Sequence, residues 1–177
     1  MSVEIPEDLQ NLDANGGIFA IWMIFHHYGI DLNIPDLTQL CRHDSEIGTS
    51  SIALAVALQT LGLDVTFFTA YDADKQPIEL EFYQQAEKLN IPVHEQVISY
   101  AEIQQQVEAG RFVIVFYDTL EEVGNHSLVY AMDEHEISFF DSFDAMPAQI
   151  FEQQRQADGI CQQVIVIDDR NFVMRHS

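Results

Sequence analysis

Nine consecutive residues, Gly17 to Phe25, carry no polar side chain apart from the ring nitrogen of Trp22. A helix of that composition is apolar on nearly every face, so it must be buried in a core. The run is about half as long as a bilayer span requires. Gly29 stands just past its end, the place where a glycine commonly closes a helix. A second run, Ile52 to Leu61, is almost as apolar; Thr49-Ser50-Ser51 can cap its start and Gly62 closes it. Two buried helices in the first third of the chain are therefore the strongest constraint on the fold.

Shorter signals fill in the rest. Asn33 and Pro35 open a short helix toward Cys41. Val65 to Ala70 reads as a strand, Ile78 to Leu89 as a helix after Pro77, and Val93 to Ile98 as an exposed strand. Ser99 and Glu102 form a capping box that opens a helix ending at Gly110. Phe112 to Tyr117 is an unbroken apolar run and predicts a central strand. Ser127 to Met132 and Glu136 to Asp141 read as strands joined by the turn Asp133-Glu134-His135. Pro147 begins a last helix that stops by Gly159, and Val164 to Ile167 makes a final strand. Helices first and a mostly antiparallel sheet later give the α+β class. With no repeat or linker, residues 1–177 are expected to form one domain.

Seven Lys+Arg stand against 29 Asp+Glu, a net charge of −22. Such a surface repels phosphate backbones and anionic bilayers, which disfavours nucleic acid and membrane partners, and it attracts a basic protein or peptide. Solubility alone is the competing reason for the acidity. At 47% hydrophobic residues the chain can build a core, which excludes intrinsic disorder. Its acidic start, Met1 to Asp8, lacks the features of a signal peptide, so a cytoplasmic location is expected. Cys41 and Cys161 fit two buried free thiols rather than a disulfide framework. No metal or cofactor is expected. His94-Glu95 has no second histidine four residues on, His26 and His27 face different sides of a helix, and His43, Asp44 and Glu46 read as a solvated loop.

One stretch carries chemistry: Gln10-Asn11-Leu12-Asp13-Ala14-Asn15-Gly16-Gly17, leading straight into the apolar helix. A glutamine six residues before the helix start, with a glycine following, resembles the opening of papain-like cysteine peptidases. More closely it resembles the bacteriocin-processing peptidases, which cut after double-glycine leaders in front of export ATPases. Gln10 falls on that family's oxyanion-hole glutamine, Asn15 on the residue before the nucleophile and Gly17 on the glycine after it. Gly16 falls on the cysteine itself. Downstream, His26-His27-Tyr28-Gly29-Ile30, Gly48-Thr49-Ser50 and Leu61-Gly62-Leu63 follow the family's order of helix ends and turns. Asn125-His126-Ser127-Leu128-Val129-Tyr130 is similar to the strand of the catalytic histidine. Phe139-Phe140-Asp141-Ser142 is similar to the strand end bearing the acid that orients it, with Ser142 in place of the usual proline.

The resemblance implies a papain-like fold with remnant catalytic positions Gln10, Gly16, His126 and Asp141, and a bacterial source. It also implies a peptide groove lined by Asn15, Gly17 and Asn125. In such a site a thiolate at a helix N-terminus attacks, a histidine moves the proton, an acid orients the histidine and a glutamine steadies the oxyanion. With no side chain at position 16 that covalent route is closed, and no enzymatic activity is expected. Cys41 and Cys161 lie beyond other helices and are not placed to substitute. Each residue also has a plainer role: Asn15 as a cap, His126 as a satisfied core histidine, Asp141 as a turn residue. The 15-residue offset across one hairpin is what brings His126 and Asp141 together, so a hydrogen bond between them is expected. A thiol introduced at Gly16 is expected to stand beside His126 and ionise near neutral pH.

Three functions fit this pattern. The first is an inactive peptidase-like domain that binds a peptide or protein segment in the former substrate groove, as cysteine-lacking members of the family hold cargo on export ATPases. The second is a peptidase of the same family whose nucleophile has been replaced, where alanine or serine would be the usual substitute. The third is an acidic regulatory or immunity-type protein that binds a basic partner.

Overall fold

The computed structural model describes residues 4–119, 124–142 and 144–176; the first three residues of the acidic start lie outside them. A single turn, α1 (Glu7–Gln10), precedes the first apolar helix, α2 (Gly16–His27), in which every residue from Gly17 to Phe25 is buried. α3 (Ile34–Leu40) starts at Asn33, whose side chain accepts from the Asp36 N–H. α4 (Ser51–Thr60) is capped by the Ser50 hydroxyl, which accepts from the Ala53 N–H, and is buried from Ser51 to Leu58. Then come β1 (Asp64–Phe68), α5 (Pro77–Lys88), β2 (Val93–His94), α6 (Tyr100–Glu108), β3 (Phe112–Asp118) and β4 (Gly124–Met132). β5 (Glu136–Phe139), β6 (Met146–Pro147), α7 (Ala148–Arg155), β7 (Val164–Asp168) and α8 (Arg170–His176) complete the order.

The strands form one sheet in the order β2-β1-β7-β3-β4-β5-β6, antiparallel throughout except between β1 and β2. Alternate residues of the central strands serve two cores. Ile114, Ile165 and Ile167 join the core of α2, α4 and α5. Val113, Val115, Val164 and Val166 join the core of α6 and α7. Burial on both faces is why β3 and β7 read as unbroken apolar runs instead of alternating ones. Arg155 of α7 is fully buried, donating to the Ile98 carbonyl at 3.0 Å and to Glu152 at 2.9 Å, which ties α7 to the segment before α6.

Some boundaries differ from the sequence expectation. The exposed strand expected over 93–98 pairs only at Val93–His94, on the sheet edge. β5 stops at Phe139, so Asp141 lies just past the strand. β4 begins earlier than expected, at Gly124. Among the described residues no helix is long and apolar enough to cross a membrane.

Candidate functional site

The start of α2, the loop between α3 and α4, the start of α5 and the first residues of β4 enclose a cavity of about 560 Å³. Gly16, Gly17, Asn125 and His126 all lie on its wall. Ser51 and Phe116, which the sequence had not singled out as site residues, lie there too.

His126 faces the α2 side of β4, where its Nε2 is 2.7 Å from Ser51 Oγ at the first residue of α4. Its ring stacks on Phe116 with centroids 4.2 Å apart. At 6% exposure, burial pushes its pKa down to about 3. The imidazole is therefore neutral near pH 7 and supplies no positive charge that could hold a thiolate. Ser51 had a signal in the sequence. Ser50 alone suffices to cap α4, which leaves a second hydroxyl surplus at the head of an all-apolar helix.

Asp141 belongs to a different network. Its Oδ2 accepts from Ser127 Oγ at 3.1 Å, and Tyr117 Oη donates to Ser127 Oγ at 2.8 Å. Asn125 Nδ2 donates to both Tyr117 Oη and Ser127 Oγ at 3.1 Å. Asp141 as a residue is exposed, yet its carboxyl is drawn in against this network. Desolvation raises its pKa, and the bonds from Ser127 and Asn125 partly oppose the rise. The expected His126–Asp141 hydrogen bond is not formed. Pairing of Val129 with Phe139 sets a register that brings Ser127 level with Asp141, while His126 points to the opposite face.

Gly16 touches β4 through its backbone. A Cβ placed on it would lie 2.6 Å from the His126 carbonyl oxygen and 2.5 Å from Asn125 Oδ1. The amide of Asn125 can rotate away; the carbonyl of a paired strand cannot. The introduced thiol expected beside His126 at position 16 therefore has no room unless α2 shifts. Gly17 is close-packed as well, with Leu54 Cδ1 2.8 Å from its own hypothetical Cβ.

Three of the expected positions lie off the cavity wall: Asp141, Gln10 and Asn15. Gln10 is exposed, and its Nε2 donates to the Ile5 carbonyl at 2.7 Å. Asn15 Nδ2 donates to the Leu9 carbonyl at 2.8 Å, holding α1 against the start of α2. His43 braces the same region: Nε2–H donates to the Asp13 carbonyl, and Nδ1 is hydrogen-bonded to Thr49 Oγ1, both at 2.8 Å. Cys41 lines the cavity, but burial pushes its thiol up to about 12, the opposite of an activated nucleophile.

No family model matches the chain, and no curated protein matches its sequence. A solved structure does match in three dimensions: the peptidase domain of Streptococcus ComA, a bi-functional ABC transporter involved in a quorum-sensing pathway. The TM-score is 0.52 at 15% identity, over 86% of this chain and 89% of that domain. The fold is that of a papain-like peptidase domain. In this scaffold the first residue of α2 is a glycine sealed against β4.

Proposed function

We propose that this peptidase-like domain performs no peptide hydrolysis and holds a peptide or protein segment in the cavity beside the start of α2. One observation carries the reading: at Gly16 the space a nucleophilic side chain would need is taken by Asn125 Oδ1 and the His126 carbonyl. Two others support it. The imidazole of His126 is kept neutral and bonded to Ser51, and Asp141 is bonded elsewhere. The cavity persists beside the closed position, so room for a bound chain remains where the chemistry is missing. Likeness of fold to a peptidase domain that belongs to a transporter supports a segment of an exported polypeptide as the ligand, met in the bacterial cytoplasm.

The tight seam at Gly16 argues against a peptidase whose cysteine has merely been swapped, since restoring the side chain requires α2 to move. The test pairs two measurements on the purified protein. A quenched-fluorescence peptide library should show no cleavage above buffer, while labelled peptides from the same library should bind. Cleavage that disappears in Ser51→Ala or His126→Ala would overturn the inactive reading.

A further inference from the structure

The mouth of the cavity combines two kinds of surface. Ile47 sits in a tight turn closed by reciprocal backbone hydrogen bonds between Asp44 and Gly48, at 2.9 and 2.7 Å. It is 80% exposed, an aliphatic side chain left in water where turns are usually polar. Ile78 and Phe116 continue the apolar surface along the wall. Around them stand the carboxylates of Asp44, Asp72 and Glu79, contributed by two separate parts of the chain. Among the described residues Arg42 is the one lysine or arginine on this wall, and its guanidinium is paired with Glu81. Lys75 lies nearby but sits over the rings of Tyr71 and Tyr83 and donates to the Asp72 carbonyl. Burial holds the Glu79 carboxyl above its ordinary pKa; the charge of Asp72 adds to the rise, while the Gln76 N–H and Lys75 oppose it. An arriving cation would relieve that cost.

We infer that the cavity selects a polypeptide segment presenting a lysine or arginine beside an aliphatic or aromatic side chain. The cation is placed against Asp72 and Glu79 and the apolar group on Ile47, Ile78 and Phe116. This rests on the polypeptide-holding reading above and adds to it the class of segment held. The net charge of −22 steers such a segment from a distance, and the cavity mouth supplies the short-range match.

The test uses fluorescein-labelled, acetylated and amidated octapeptides followed by fluorescence anisotropy at near-physiological salt. One alternates lysine with leucine; the other has serine in place of each lysine. The lysine peptide should bind, and the double variant Asp72→Asn/Glu79→Gln should weaken it by about fivefold, with Ile47→Ala also weakening it. The variant Glu134→Gln/Glu136→Gln removes the same charge in and after the turn between β4 and β5, and should change affinity by less than about twofold. Equal weakening by both double variants would assign the attraction to overall charge and overturn the inference. Equal binding of the serine peptide would overturn it too, while leaving the polypeptide-holding reading in place. If neither peptide binds, the inference falls, and binding of the peptide library decides the polypeptide-holding reading separately.

Discussion

His126 couples the site to the acid response of the whole fold. Unfolded, its imidazole takes a proton near the ordinary value of about 6.5; folded, it does so only near 3. Between those values the unfolded chain binds more protons, so this residue removes stability as pH falls from about 6.5 toward 3 and has no further effect above about 7. Denaturant midpoints measured across that window should slope with pH, and His126→Gln should flatten the slope; identical slopes in the two proteins would refute the buried neutral state. Ser51→Ala leaves Nε2 of that ring without its hydroxyl and should cost about 1–3 kcal/mol in chemical denaturation. Gly16→Ala should cost a similar amount, about 1–3 kcal/mol, because a backbone carbonyl blocks the added methyl. An unchanged midpoint would mean that α2 slides along β4 without resistance. The positions of Gly16 and His126 at one wall were legible in the sequence. The partner of His126 was not. Counting 15 residues across a hairpin identifies neighbouring strands, but which side chain faces the acid depends on register parity, and Tyr130 sits at an irregularity between β4 and β5 that a count cannot reveal.

At the scale of elements, the apolar helices and the two central strands were readable because burial on every face leaves no polar residue to interrupt the pattern. The failures are short and exposed. α8 buries only Phe172, so Arg170–His176 carries no helical stripe. β2 exists through a parallel pairing with β1 from far along the chain, which local pattern does not encode beyond two residues. Capping chemistry was more dependable: the Ser99–Glu102 box is present, with each partner accepting from the other's backbone N–H. The same logic makes α4 sensitive at its head. Ser50→Ala removes the acceptor for the Ala53 N–H and should cost about 1 kcal/mol. Thermal denaturation of this variant beside Ser51→Ala separates the two hydroxyls, since only the second should also disturb the acid response set by His126.

At the scale of the whole molecule, a net charge of −22 places the folded chain under its own repulsion. Screening should relieve it, so the midpoint of thermal unfolding should rise as sodium chloride goes from about 0.01 M to 0.5 M, the range over which the Debye length falls from about 30 Å to under 5 Å. A flat or falling midpoint would mean that the acidic residues are already neutralised locally. The seam between α2 and β4 has a consequence of another kind, for descent. From this sequence, one codon change at position 16 does not yield a reactive thiol; it yields a protein whose first long helix has been pushed off its strand. A side chain at that position would also require Asn125 to withdraw and the helix to be reseated. Under the inactive reading proposed above, a single substitution at position 16 lowers stability before it can add chemistry, so the seam favours keeping a glycine there.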